Sequence, residues 1–275
     1  MATRESPLAS VAPEPGVAKP DPILVVEHIR RAFGGLQAVD VGRLEIQRNT
    51  ITSLIGPNGA GKTTLFNLLT GFDRADDGIW HLNGGPLVGI PAYRVARKGV
   101  VRTFQLTRSL ARLTVVENVL LAATNQHGES LLGGLFSPWR RTEKANAEKA
   151  EELLDRFGLM HMRDEFAGSL SGGQRKLLEL ARAMMVRPEL IMLDEPMAGV
   201  NPALTQTLLH HITALRDSGK TVIFIEHDMD VVQEISDWVI VLAQGRLIAE
   251  GPPSHIAAND DVIDAYLGRH HGEVP

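Results

Sequence analysis

The sequence predicts an α/β fold: a core of buried strands and helices, an inserted α-helical block, and a small antiparallel β part. Residues 51–55 (ITSLI) are a short β-branched apolar run leading into the glycine-rich stretch 56–63 (GPNGAGKT), with a helical pattern at 64–69. Residues 190–193 and 220–225 are apolar runs of the same kind, each delivering acidic residues at its end. Residues 106–170 lose the β pattern and carry helical periodicity at 114–123 and 143–157.

In chain order, residues 24–28 and 44–47 read as strands around a turn at Phe33-Gly34-Gly35. Residues 78–82 read as a short strand, 90–97 as a helix, and 99–104 as a strand ending at Gln105. Residues 125–141 (NQHGESLLGGLFSPWRR) combine turn formers with an exposed-looking Leu-Phe-Trp set, a composition that is often functional. Residues 175–186 carry apolar positions at helical spacing, and 202–217 form another helix. Residues 239–242 and 246–249 read as a closing hairpin through Gln244-Gly245, and 260–267 as a short terminal helix.

Composition narrows the function classes. The chain has 275 residues, 44% of them hydrophobic, enough for a real core. Lys and Arg number 28 against 33 Asp and Glu, a net charge of −5, which argues against a nucleic-acid binder. No cysteine is present, so disulfides, thiolate metal sites and Cys nucleophiles are excluded. No apolar run approaches the ~18 residues that span a bilayer. Residues 1–20 hold four prolines and no apolar segment, which predicts a disordered tail rather than a secretory signal. The expected chain is soluble and cytosolic, meeting a membrane only through a partner.

The chemistry-bearing residues fall into a few groups. Gly56, Gly59 and Gly61 free the backbone so that several N–H groups converge on a phosphate, and the following helix adds its positive dipole end. Lys62 can neutralise the β- and γ-phosphates, and the Thr63 hydroxyl can ligate Mg²⁺. Asp194 can hold that cation through its water shell, and Glu195, next along, can orient and polarise a water. Ser171-Gly172-Gly173 opens a helix and suits a second anion. Three positions have a plainer reading beside the functional one. Phe33 fits a nucleobase stack or a core Phe beside a turn; Gln105 fits a metal or water contact or a solvent-facing strand end; Ser171 fits an anion site or a helix cap.

The order of these groups resembles the nucleotide-binding subunit of an ABC transporter over residues 22–267, with LSGGQ at 170–174 as the specific element. The resemblance implies a P-loop NTPase (RecA-like) core at 22–105 and 184–250, a helical subdomain at 106–183, and a C-terminal tail at 251–275. It assigns adenine stacking to Phe33, usually a tyrosine, and the phosphates to Gly56, Pro57, Asn58, Gly59, Ala60, Gly61, Lys62, Thr63 and Thr64. Gln105 becomes the residue that contacts Mg²⁺ and senses the membrane partner, and Thr63 and Asp194 the other metal ligands. Glu195 is then the catalytic base, with His227 and Lys62 at the γ-phosphate. Ser171, Gly172, Gly173 and Gln174 would bind ATP held by the opposite subunit of a head-to-tail dimer.

A finer resemblance, to the larger ATPase of branched-chain (hydrophobic) amino acid uptake systems, rests on residues 31–40, 101–110, 195–202, 225–232 and 265–268. It implies Mg²⁺-dependent ATP hydrolysis at the cytoplasmic face of the inner membrane. The partners would be two permease subunits, a sister ATPase or a second copy, and indirectly a solute-binding protein. Asn201 stands where the wider family has an aspartate, which puts the coupling across the dimer in question. Three alternatives stay open: an ATPase of urea or amide uptake, one of lipopolysaccharide export, and a non-transport ABC ATPase. The last usually carries two cassettes or long heptad repeats, and this chain has neither.

Overall fold

The computed structural model describes residues 6–103, 110–123 and 139–267. Ten strands and nine helices are found among the described residues. The strands are β1 (Pro22–Phe33), β2 (Leu36–Gln47), β3 (Ile51–Ile55), β4 (Asp77–Leu82), β5 (Gly85–Pro86), β6 (Val100–Arg102), β7 (Leu190–Asp194), β8 (Thr221–Ile225), β9 (Trp238–Ala243) and β10 (Arg246–Gly251). The helices are α1 (Lys62–Leu69), α2 (Ala92–Arg97), α3 (Val115–Leu120), α4 (Trp139–Arg156), α5 (Gly172–Met185), α6 (Pro202–Asp217), α7 (Met229–Ile235), α8 (Pro253–Ala257) and α9 (Asp260–Leu267).

The central sheet has the order β10-β9-β3-β8-β7-β6 and is parallel except for β10. All five residues of β3, β7 and β8 are buried, as strands covered on both faces require. One face is covered by α3, α4, α5, α6, α7 and α8, whose buried side chains join Ile51, Ile191 and Phe224 in one apolar cluster. The other face packs on α1 and on an antiparallel sheet of order β2-β1-β4-β5, through Val26, Leu44, Phe66 and Trp80. The three-layer arrangement matches the expected α/β core with an inserted helical block and an antiparallel β part.

Several boundaries differ from the sequence reading. β1 and β2 each run 12 residues, where short strands were expected. Their charged positions hid the alternation, although Arg30 and Asp40 pair across the hairpin at 3.1 Å. Helix α5 continues to Met185, across the division expected at 183, because its apolar stripe serves the sheet and the helical block together. Residues 251–267 of the expected C-terminal tail are folded: α8 and α9 lie against β10, with Ile256 and Val262 buried, and residues 268–275 lie outside the described residues. Residues 125–138 of the insertion, and Gln105, lie outside the described residues.

The largest correction concerns residues 6–20, expected to be disordered. They dock on the β9–β10 hairpin and on β2. Leu8 is buried, and the Lys19 side chain is 1% exposed, its ammonium 2.8 Å from Glu250 and 4.3 Å from the centre of the Trp238 ring. Glu250 also accepts from the Val17 N–H and the Trp238 indole N–H, and Glu45 accepts from the Lys19 N–H. Burial lowers the Lys19 pKa, and Glu250 and Glu45 oppose that shift. The composition that predicted disorder is real, but one deeply buried ion pair with its hydrogen bonds anchors the segment.

Lys19→Met should therefore destabilise the protein by about 3 kcal/mol, because it strips a buried carboxylate of its counter-ion. Lys19→Met with Glu250→Gln should recover part of the loss. Urea unfolding followed by circular dichroism measures both, and an unchanged midpoint in the single variant would contradict the docked strap.

Candidate functional site

Parallel pairing gathers the candidate residues at one edge. Leu54 and Asp194 both register with Ile225, so the chain leaves β3, β8 and β7 at the same carboxyl end of the sheet. That edge is where open α/β sheets bind ligands. Gly56 follows β3, Asp194 and Glu195 close β7, and Glu226 and His227 follow β8.

The glycine-rich loop is built by close approaches. Gly56 has φ +145°, and a Cβ there would stand 2.0 Å from the Leu242 carbonyl oxygen; Gly61 has φ +96° and a Cβ would meet the Ala38 oxygen at 2.2 Å. The Gly245 N–H donates to the Ala60 carbonyl at 3.0 Å, and the Gly245 carbonyl accepts from the Asp40 N–H at 2.7 Å. The loop is thus wedged between β2 and the β9–β10 hairpin. Gly61 precedes α1, and Asn58, Gly59 and Thr63 are exposed, Pro57, Lys62 and Thr64 half-buried and Ala60 buried. The Lys62 ammonium donates to the carbonyls of Gly56 at 2.6 Å and Pro57 at 3.0 Å. Burial lowers its pKa, while the charges of Glu195 and Asp194 oppose the shift. Lysine and both carboxylates therefore share one electrostatic site.

Asp194 is buried, and the Arg102 guanidinium of β6 holds its carboxylate at 2.6 Å. Arg102 also donates to Asn67 Oδ1 on α1 at 2.6 Å, tying the strand before Gln105 to the helix after the loop. Glu195 is half-buried and sits at φ +47°, a conformation of about 1–3 kcal/mol cost that recurs at functional sites. Its N–H donates to the Ile225 carbonyl at 3.1 Å, which fixes the turn. Glu226 is buried and accepts from the N–H groups of Met197 and His227; burial raises its pKa. The His227 side chain is 69% exposed, free to meet a ligand at the edge.

Phe33 lies exposed at the tip of the β1–β2 hairpin, with the Arg31 guanidinium 4.5 Å above its ring. The second glycine cluster opens α5. Ser171 caps it by accepting from the Gln174 N–H, and the Gln174 side chain accepts from the Ser171 N–H. Gln174 is therefore committed to the cap, whereas Ser171 and Gly172 face outward and Gly173 is pressed against Leu204. Asn201 caps α6 by accepting from the Leu204 N–H at 2.9 Å, a role its amide fills without the charge of an aspartate.

Sequence reasoning missed Arg102, Asn67, Glu226 and Tyr266. Arg102 meets Asp194 and Asn67 only through the fold, and no local spacing announces that. Glu226 left a signal, a carboxylate between an apolar strand and His227. Tyr266 on α9 accepts a hydrogen bond from the Gly56 N–H at 2.9 Å, across 210 residues of chain.

Residues 39–198 match the family model for the ABC transporter, and residues 246–272 match that for the branched-chain amino acid ATP-binding cassette transporter. The chain is 46% identical over 250 residues to the high-affinity branched-chain amino acid transport ATP-binding protein BraF of Pseudomonas aeruginosa, covering 90% of this chain and 98% of that protein. To the corresponding protein LivG of Escherichia coli K12 it is 44% identical, with the same coverage. Among solved structures, a nucleotide-free ATP-binding cassette from an ABC transporter superimposes with a TM-score of 0.78 at 37% identity, covering 92% of this chain and all of that one. The ADP conformation of such a cassette gives 0.77 at 35% identity, covering 90% and 99%.

The loop geometry separates two glycines that look alike in sequence. Gly56→Ala drives a methyl into a backbone carbonyl that cannot yield, and should destabilise the protein by roughly 3–5 kcal/mol. Gly59 has φ +79° with no atom within 4 Å of an added Cβ, so Gly59→Ala should cost only about 1–2 kcal/mol. Denaturant midpoints compare the two, and equal losses would be inconsistent with the wedge.

Proposed function

The chain belongs to the ABC transporter family, and from that premise we propose that it is the ATP-hydrolysing subunit of an importer for branched-chain or related amino acids. The observation that carries the reading is the convergence of Lys62, Asp194 and Glu195 on one electrostatic site at the edge of a parallel sheet. The names of the relatives, and the match of residues 246–272, support the substrate class.

In this reading the N–H groups at 59–64 and the Lys62 ammonium hold the phosphates, and Phe33 stacks on the adenine. The donor set fits Mg²⁺: Thr63 and Asp194 offer hard oxygens that would hold the cation together with the phosphates. Gln105 is proposed as a further oxygen ligand. When bound, the cation supplies charge neutralisation between the β- and γ-phosphates. Arg102 fixes the Asp194 carboxylate in place through a 2.6 Å ion pair. Glu195 takes the proton of the attacking water, held toward the γ-phosphate by its strained turn, and His227 contacts the same phosphate from the β8 side.

Ser171 and Gly172 are exposed at the start of α5, and in this reading the Ser171 hydroxyl and the Gly172 N–H serve a γ-phosphate on a second cassette. The complete site then forms in a head-to-tail dimer, with a sister ATPase or a second copy. The cassette would dock on two permease subunits at the cytoplasmic face of the membrane, with a solute-binding protein delivering substrate. Among the described residues no helix is long and apolar enough to cross a membrane.

Lys62→Ala should weaken ATP binding and abolish hydrolysis with the fold intact, measured by calorimetry and phosphate release. Glu195→Gln should keep ATP binding and lose hydrolysis by about 10²–10⁴-fold. The uncleaved γ-phosphate then glues two cassettes, so this variant should accumulate as an ATP-dependent dimer, alone or with its sister ATPase. Adding Ser171→Arg should dissolve it. Light scattering with and without Mg-ATP reads the result, and a variant that never dimerises, even with the sister present, would sink the shared-site reading.

A further inference from the structure

Helix α9 ends beside the phosphate loop, and its Tyr266 reaches into that loop. The hydroxyl accepts from the Gly56 N–H at 2.9 Å. That N–H lies one residue beyond β3 and has no place in the β3–β8 or β3–β9 ladders, which end at Leu54 and Ile55. Gly56 itself is buried and at φ +145°, so its amide needs a partner that the sheet cannot supply. The Tyr266 side chain is not a core filler: the residue is 40% exposed, whereas Val262 on the same helix is 5% exposed and packs into the core. Burial of the hydroxyl raises its pKa, so the phenol stays neutral.

The Gly56 carbonyl accepts from the Lys62 ammonium at 2.6 Å. Gly56 is thus gripped on both sides, its N–H by Tyr266 and its C=O by the lysine that the proposed function assigns to the phosphates. Freeing the N–H lets the peptide before Gly56 rotate, and the loop amides downstream lose the convergence that phosphate binding needs.

We propose that Tyr266 is a positioning residue for nucleotide binding, through which the C-terminal helix sets the geometry of the phosphate loop. The inference rests on the reading of that loop as an ATP site and adds a role for a residue outside every nucleotide motif.

The test uses full-length protein carrying Tyr266→Phe, with Ile263→Ala on the exposed face of the same helix as control. Two measurements are made: the Kd for Mg-ATP by calorimetry, and deuterium exchange of the nucleotide-free protein by mass spectrometry. Tyr266→Phe should raise the Kd about five- to tenfold, the loss of one hydrogen bond to a buried donor, and speed exchange in the peptide that carries Gly56 while β7 stays protected. Ile263→Ala should match wild type in both. An unchanged Kd in Tyr266→Phe overturns the inference, even with faster loop exchange, because the contact would then be structural only. A raised Kd accompanied by faster exchange throughout the sheet overturns it as well, since the loss would be global. If wild-type protein itself failed to bind Mg-ATP, the reading of the loop would fall, a result distinct from either.

Discussion

Where β3 ends, the backbone of Gly56 comes so near the Leu242 carbonyl that a Cβ would stand 2.0 Å from its oxygen. Five residues on, Gly61 makes the same approach to Ala38. The loop between them is pinned at both ends and has little freedom in its path, although Gly59 itself stands in open space. The amide groups of the loop are therefore aimed by the strands around it rather than by the loop's own preferences. A flexible glycine loop would spend binding energy on ordering itself; this one is ordered by the β9–β10 hairpin and β2 before a ligand arrives. The position of Lys62, the start of α1, and the direction of the α1 dipole all follow from that wedge.

The acidic side of the site follows from the sheet. Parallel strands β7 and β8 deliver Asp194, Glu195 and Glu226 to one edge, where three carboxylates would repel. The structure separates them by environment. Asp194 is held by Arg102 at 2.6 Å, Glu226 is buried against the N–H groups of Met197 and His227, and Glu195 is half-buried on a left-handed backbone.

The central sheet was legible because each of its buried strands is a continuous apolar run of strand length, bounded by glycine or acidic residues. The helices α6 and α9 were legible to the residue, since Asn201-Pro202 and Asn259-Asp260 are ordinary helix starts. Helix α7 was not, because its seven residues follow Glu226-His227-Asp228 and only Asp228, capping through the Asp230 N–H, marks the start. The N-terminal strap was misread for a deeper reason. Its composition is that of a disordered segment, and what folds it is Lys19 meeting Glu250, 231 residues away. The glycine-rich, acidic and Ser-Gly-Gly clusters of the candidate site were visible in local spacing, whereas Arg102 and Tyr266 make contacts with partners that the sequence does not place.

Residues 6–20 and residues 253–267 converge on the same part of the molecule. Residues 6–20 are anchored on Glu250 of β10 and on Trp238 of β9, and α8 and α9 lie against β10. The turn between β9 and β10 is Gln244-Gly245, and Gly245 is hydrogen-bonded to Ala60 in the phosphate loop. Leu242 of β9 is the residue against which Gly56 is pressed. The hairpin is thus a rigid backing for the loop, and the two terminal segments brace the hairpin from behind. Strand β10 is an edge strand, antiparallel to an otherwise parallel sheet, and edge strands are where a sheet frays first. Covering it with two segments of the same chain removes that freedom beside the glycine-rich loop. The geometry of the phosphate site therefore depends on residues hundreds of positions away in sequence, through contacts with β9 and β10 that no nucleotide motif contains.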